Sequence, residues 1–348
     1  MGNSETIPMR SLKNEEKAIL LINTGSPNSI NTGDVASYLR QFLMDKRVID
    51  IPWVFRSLLV RVIIVPFRAK KSAAFYKKIW TNSGSPLKSE TQKLASLVEK
   101  KTKFQTAMAM RYGNPSISQT VKELYSQGIR QVFAVPMFPH YAMSTYESVV
   151  EEFKSVCQKF SNLSVDIKEP YFENAQYLNA IIANAKPFVT KKFDHILFTY
   201  HSLPNRHLVK TDPTKNHCLQ KENCCHIESE AFVYCYKAQT YRTTLKLAEK
   251  LKLKEGQYSI SYQSAMRGEW IGPSTESVLT QIPKKGVKSL VVIAPGFVTD
   301  NLETLEELQI RGKDYFLNAG GKKYTFVPCL NSTTPWVNAI SQWAGEVL

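Results

Sequence analysis

The chain has 348 residues, of which 43% are hydrophobic and 22% charged. These are ordinary globular proportions that exclude a disordered or fibrous class, and the length favours two domains over one. Its 45 Lys and Arg against 30 Asp and Glu leave a formal charge of +15, which favours an anionic partner: a carboxylate-bearing ligand, an acidic membrane surface or nucleic acid. Zinc-finger spacing, a basic zipper and an aromatic RNA-binding signature are all missing, so nucleic acid drops out first. The stretch Met1 to Glu16 is polar with no apolar signal core, which makes a reducing, cytoplasmic compartment the expectation. Met1-Gly2-Asn3-Ser4-Glu5-Thr6 also fits the short N-myristoylation pattern, a length at which chance matches are common.

Lys17 to Asn23 reads as a buried strand that ends in the turn Thr24-Gly25-Ser26-Pro27. A helix is expected over Val35 to Met44. The basic, aromatic stretch Ile51 to Trp80 carries Arg56 and Arg61, so it reads as helices packed on the core, or as a lip over a cleft or an amphipathic membrane-surface segment, rather than a transmembrane span. Glu90 to Lys101 is an amphipathic helix. Thr106 to Met110 is a strand that delivers Arg111 and Tyr112 to a loop, where an Arg beside a Tyr can grip a carboxylate and stack on a flat ring. The helix Ser116 to Gln127, the strand Gln131 to Pro136 and the loop Met137 to Thr145, with His140 and Tyr141, complete a repeated strand, loop, helix order. That order predicts a parallel, doubly wound α/β sheet.

From Asn174 the pattern begins again, with a helix at Ala175 to Lys186 and a strand at His195 to Tyr200. His201 then stands directly at a strand's carboxyl end, better placed for chemistry than for packing. The helix Tyr241 to Leu251, the strand Tyr258 to Gln263 and a loop with Trp270 follow. The strand Ser289 to Ala294 is stopped by Pro295 and Gly296, and a helix is expected to open at Asp300 as N-cap with Glu303 in capping-box position. Its Glu303 and Glu307 share a face with Glu306 close by, so a cation is expected opposite. Ligands of such sheets bind outside the carboxyl ends of the strands. The two α/β halves are therefore expected to face each other across a cleft, with Asn23, Arg111 and His140 on one side and His201 and Glu303 on the other.

Of the six cysteines, Cys218, Cys224, Cys225 and Cys235 fall in one short segment. In a reducing compartment, clustered thiols suggest a metal or iron-sulfur site. The spacing matches neither a ferredoxin pattern nor a paired C-x-x-C zinc signature. A four-cysteine cluster and a zinc site that recruits His217 or His226 both stay open. Cys157 and Cys329 have the apolar neighbours of ordinary buried cysteines.

His201-Ser202-Leu203-Pro204, Tyr262-Gln263-Ser264, Trp270-Ile271-Gly272-Pro273 and Pro295 to Glu307, in that order, make the chain resemble the ferrochelatase family. Asn23 to Pro27, Gln41-Phe42-Leu43 with Asp45, Arg111-Tyr112-Gly113 and Pro136 to Tyr141 agree. The resemblance implies a chelatase fold that closes on a porphyrin, with Fe(II) as substrate and two protons released. It implies catalytic roles for His201 and Glu303, with Glu307 continuing an acidic line that meets the iron, and substrate contacts from Thr24, Arg111, Tyr112, His140, Tyr141 and Trp270. Asn301 stands where some relatives carry His, and Arg311 where some carry an acid. The cysteine segment is similar to the one through which some bacterial relatives hold a 2Fe-2S cluster on Cys218, Cys224, Cys225 and Cys235, structural zinc being the alternative.

The expected division is 17–173 for an N-terminal domain with a porphyrin-facing lip, 174–330 for a C-terminal domain with the catalytic His and Glu and the cysteines, and 331–348 for a helix packing back on the first. Partners are porphyrin, ferrous iron and an anionic membrane surface at the inner face of the cytoplasm, with no nucleic acid. The rival functions are a coproporphyrin or cobalt chelatase and, from another class, a haem or iron-sulfur carrier.

Overall fold

The computed structural model describes residues 13–189, 192–266 and 268–348, so the Met1 to Thr6 pattern lies outside the described residues. The first half runs β1 (Lys17–Gly25), α1 (Thr32–Leu43), α2 (Trp53–Leu58), a π-helical stretch Leu59–Ile64, α3 (Val65–Ile79), α4 (Pro86–Thr102), β2 (Gln105–Tyr112), α5 (Ile117–Ser126), β3 (Gln131–Pro136), α6 (Ser148–Cys157) and β4 (Ser164–Ile167). The second runs α7 (Ala175–Val189), β5 (His195–His201), α8 (Asn205–Thr211), α9 (Tyr236–Lys250), β6 (Tyr258–Gln263), α10 (Thr275–Gln281), β7 (Ser289–Ile293), a π-helix Glu303–Gly312, α11 (Lys313–Asn318), β8 (Lys323–Phe326) and α12 (Thr334–Val347). Each half contains a parallel four-stranded sheet, in the orders β2-β1-β3-β4 and β6-β5-β7-β8. The α/β class expected from the strand, loop, helix order is the one observed.

Successive side chains of a strand face opposite ways, and β1 uses both faces. Ala18, Leu20 and Ile22 pack on α5 and α6, whereas Ile19 and Leu21 point to a second core with Leu94 and Val98 of α4. The second sheet repeats this, with Leu197, Leu290 and Val292 toward Phe316 of α11 and Ile196, Phe198, Val291 and Ile293 toward the other face. Both inward faces belong to one continuous apolar cluster, so the halves share a core beneath the cleft. The C-terminal helix α12 closes it by packing on α4 and α7. Trp336 and Trp343, both fully buried, meet Tyr171, and Trp336 also meets Tyr177.

Two local expectations are corrected. Within the stretch Ile51 to Trp80, residues 53–79 form one unbroken helical run over α2, the π-helical stretch and α3, not a pair of separate helices. Its early part leaves Trp53, Val54, Phe55, Leu58, Val62, Ile63 and Phe67 exposed, while Val60, Val65, Ala69 and Ala73 pack on α1. The N-cap is Asn301, not Asp300: Asn301 Oδ1 accepts from the Thr304 N–H at 3.0 Å and its carbonyl from the Leu305 N–H. Asp300 instead turns inward, bound by Thr304 Oγ1, Asn331 Nδ2 and the Cys329 N–H. The edge strands β4 and β8 were not anticipated because each has only four residues and little buried surface.

Candidate active site

In sheets ordered this way, the strand order reverses between β1 and β3 and between β5 and β7, and a crevice opens beyond their carboxyl ends. The chain leaves all four ends into one cavity of about 1080 Å³, counted out to its open mouth. Its walls are Asn23 to Ser26 after β1, Met137, Phe138 and His140 after β3, His201 and Leu203 after β5, and Gly296 to Thr299 with Glu303 after β7. Tyr38, Phe42 and Tyr76 close the side beneath the exposed helical run. Gly25 makes the first turn possible: its φ is +113°, and a Cβ there would lie 1.8 Å from the Tyr112 carbonyl oxygen on the paired strand.

Hydrogen bonds fix which nitrogen each cavity histidine presents. His201 Nδ1 lies 2.5 Å from the Ser202 carbonyl oxygen. A carbonyl only accepts, so the proton of the neutral ring sits on Nδ1 and Nε2 keeps its lone pair. His140 Nε2 is 2.9 Å from Thr243 Oγ1, whose own proton goes to the Phe172 carbonyl. The Thr243 oxygen must therefore accept, which leaves His140 Nδ1 as a bare acceptor, and that buried atom has no partner among the described residues. Burial pushes His140 down to about 3, so the ring is neutral.

Glu303 stands on the same wall. Burial raises its carboxyl above the ordinary range, nearby His201 pulls it back, and Glu307 pushes it up again. Its accessible surface belongs to the cavity wall, so a part-exposed residue is nonetheless desolvated. Tyr38 and Tyr76 face it with hydroxyls held protonated, first by burial and further by its charge. The expected cations are present at the neighbouring acid: buried Glu306 receives Lys78 at 3.1 Å and Arg311 at 2.7 Å. Glu307 accepts from the Ser264 N–H and hydroxyl at 2.8 and 2.5 Å, with Arg311 at 3.9 Å. A second charged bridge crosses the cleft where Asp50 meets Arg206 at 2.7 Å and Lys210 at 2.5 Å.

Of the residues singled out from sequence, His201, Glu303, Thr24 and His140 line the cavity together. Asn23 lines it too, whereas Arg111, Tyr112, Tyr141, Trp270 and Glu307 are not among its lining residues. Arg111 grips a carboxylate, but it is that of Asp45 at 2.8 Å, and Tyr112 donates to the same oxygen at 2.9 Å. Tyr141 donates to Glu147 at 2.5 Å, and Trp270 bridges to Pro204 below the His201 turn. Tyr38 and Tyr236 are wall residues that sequence reasoning passed over. Only Tyr236 carried a signal, as the neighbour of Cys235.

The four clustered cysteines are buried together. The Cys218 and Cys225 thiols both donate to Cys235, raising their own values and holding Cys235 well below the usual thiol range. Among the described residues no three such side chains stand at ligand spacing around one point; the sulfurs make thiol-to-thiol contacts. His217 Nε2 is 2.8 Å from the Cys224 carbonyl, and His226 is exposed with its ring against Tyr241. Cys157 and Cys329 are buried thiols raised by desolvation, as expected of structural cysteines.

Solved structures with this arrangement are chelatases. SirB from Bacillus subtilis with Fe3+ superposes with a TM-score of 0.53, covering 95% of each chain at 12% identity. The sirohydrochlorin chelatase SirB from Bacillus subtilis subspecies spizizenii in complex with cobalt gives 0.53, covering 95% of this chain and 94% of that one at 11% identity. At such identities the likeness carries the fold. Closer in sequence is the ferrochelatase of Stutzerimonas stutzeri, 43% identical over 331 residues, 94% of this chain and 97% of its own. That of Pseudomonas fluorescens strain Pf0-1 is 42% identical over 330 residues, 94% and 96%, and that of Opitutus terrae 40% identical over 332, 93% and 96%. The ferrochelatase family model matches residues 16–347. With that span and those identities, the chain belongs to the ferrochelatase family.

Proposed function

We propose that the chain inserts Fe(II) into protoporphyrin IX in this cavity, releasing two protons, with His201 and Glu303 as the groups that receive them. The observation that carries the reading is that an imidazole with its Nε2 lone pair free and a carboxylate with raised proton affinity line one enclosed wall. A porphyrin keeps two N–H protons that iron must displace, and bases beside the ring accept them without free hydroxide. Neutral His140, with its bare Nδ1, and Thr24 face the macrocycle. Arg111, Tyr112, Tyr141 and Trp270 brace the wall that holds it. Glu307 keeps negative charge behind Glu303, which favours approach of the cation and a carboxyl ready to take a proton. The strands β1–β4 and β5–β8 then act as the two domains, 17–173 and 174–330, that close on the ring.

The test is anaerobic consumption of protoporphyrin fluorescence with Fe(II), or Zn(II) as surrogate, without nucleotide. The wild type consumes the porphyrin, and His201→Ala loses about 10²- to 10⁴-fold in kcat, the usual worth of a positioned base. No insertion by the wild type, or full activity in the variant, overturns the reading.

Two finer proposals rest on separate observations. The donor chemistry suits a soft metal group, four buried thiols in one segment with Cys235 the one most readily deprotonated, although among the described residues no three of them surround one point. Cys218, Cys224, Cys225 and Cys235 would hold a 2Fe-2S cluster, and the engagement of His217 with a backbone carbonyl favours it over zinc. When bound, such a group supplies a metal-sulfur brace and one-electron chemistry. Iron with equimolar acid-labile sulfide supports this, and stoichiometric zinc without sulfide overturns it. No helix among the described residues is long and apolar enough to cross a membrane. The exposed apolar residues of α2 and α3, interleaved with Arg61, Arg68, Lys70 and Lys71, suit a cytoplasmic protein resting on an anionic bilayer that holds its porphyrin.

A further inference from the structure

The cysteine segment does not stand apart from the cavity, because one helix belongs to both. Cys235 is the N-cap of α9, directly before its first turn. The next residue, Tyr236, lines the cavity together with His201 and His140. Its ring meets that of His140 edge-on at 5.9 Å.

One helical turn later, fully buried Gln239 donates to the Phe232 and Val233 carbonyls of the cysteine segment at 3.1 and 2.9 Å. Its amide oxygen accepts from the Tyr141 N–H at 2.7 Å, in the loop after β3. Thr243, a turn beyond, holds His140 Nε2. The buried face of α9 is thus polar throughout: Gln239, Thr240, Thr243 and Thr244 are all essentially without solvent contact, and each is hydrogen-bonded to a neighbouring element or to a side chain of the cavity wall. A helix held by that many directional bonds moves as one rod, because sliding it would break several buried hydrogen bonds together.

We infer that α9 couples the state of the four thiols to the cavity, with Tyr236 as the positioning residue whose ring sets His140 against the bound porphyrin. This rests on the reading of the cavity as the porphyrin site. Whatever occupies the thiols fixes Cys235, Cys235 fixes the first turn of α9, and that turn carries the ring on His140. Coupling of this kind runs in both directions, so filling the cavity alters the thiols.

The experiment uses the full chain as purified, with whatever the thiols carry. Alkylation rates of Cys225 and Cys235 are measured by peptide mass mapping, with and without saturating porphyrin already filled with gallium, which cannot accept a second metal. Cys157, in α6, serves as internal control. The porphyrin changes the Cys225 and Cys235 rates by about fivefold or more in the wild type, the lower end of measured site-to-site coupling, and leaves Cys157 unaltered. In Tyr236→Leu, which removes the ring from His140, the effect largely disappears. Gallium porphyrin that binds without changing the wild-type rates overturns the coupling and leaves the proposed function standing. An undiminished effect in Tyr236→Leu overturns the route through Tyr236. A wild type that does not bind the porphyrin removes the functional reading, and this inference with it.

Discussion

Replacing Glu303 by Gln separates charge from shape, because the two side chains are nearly isosteric. Burial raises the Glu303 carboxyl and Glu307 adds to it, while His201, a backbone N–H and Arg68 oppose it. For activity, the loss of a positioned base is worth about 10² to 10⁴ in rate, or about 2.7 to 5.5 kcal/mol of barrier. For stability the sign is opposite. A carboxyl whose folded pKa lies above its unfolded value binds its proton more tightly in the folded state. Folding stability is then whole below the unfolded value, near about pH 4, and falls as pH rises through the folded one. Gln carries no such penalty. Glu303→Gln is therefore expected to melt near the wild type at about pH 4 and at or above it at about pH 8, while insertion measured by porphyrin fluorescence collapses. Near-normal insertion refutes the catalytic assignment. A melting point below the wild type at the higher pH refutes the electrostatic account of this wall.

Gly25→Ala places a Cβ 1.8 Å from the Tyr112 carbonyl at a φ of +113°, an overlap relieved only by parting β1 from β2. The backbone strain alone costs about 1 to 3 kcal/mol, read as a lower urea midpoint, and an unshifted midpoint contradicts the turn geometry. Phe67, 82% exposed on α3, is the largest apolar surface on the exposed run. Phe67→Ser is expected to weaken sedimentation with anionic vesicles by about 10- to 100-fold, from about 1.5 to 3 kcal/mol of lost burial. Added salt weakens the wild type further, by up to about 1 kcal/mol for each surface Lys or Arg screened. Binding that ignores both changes rules out that face.

The sheets were legible because their strands are buried on both faces. Ala18 to Ile22 and Leu290 to Ile293 are unbroken apolar runs that nothing but a covered parallel strand explains. The strand ends followed, and with them the convergence of His201 and Glu303, since a parallel sheet delivers all its carboxyl ends to one edge. What the sequence hid was set by pairing across long separations. The carboxylate on Arg111 belongs to Asp45, which packs beneath the sheet edge and accepts from Ser148 as well. An Arg beside a Tyr looks the same in sequence whether its anion is a ligand or a neighbour.

The π-helix illustrates the other limit. From spacing alone, Glu303, Glu306 and Glu307 form one acidic face of an α-helix. The wider winding sends them to different surroundings: Glu303 to the cavity, Glu306 to Lys78 and Arg311, Glu307 to Ser264. A single carboxylate, with the charge of Glu307 near it, is left facing the ligand space. Burial then acts on that one group, so its proton affinity rises while the two behind it stay paired. In this way three adjacent acids become one base and a counter-charged foundation, a division that depends on helix geometry and on Lys78, which lies 228 positions away in the chain.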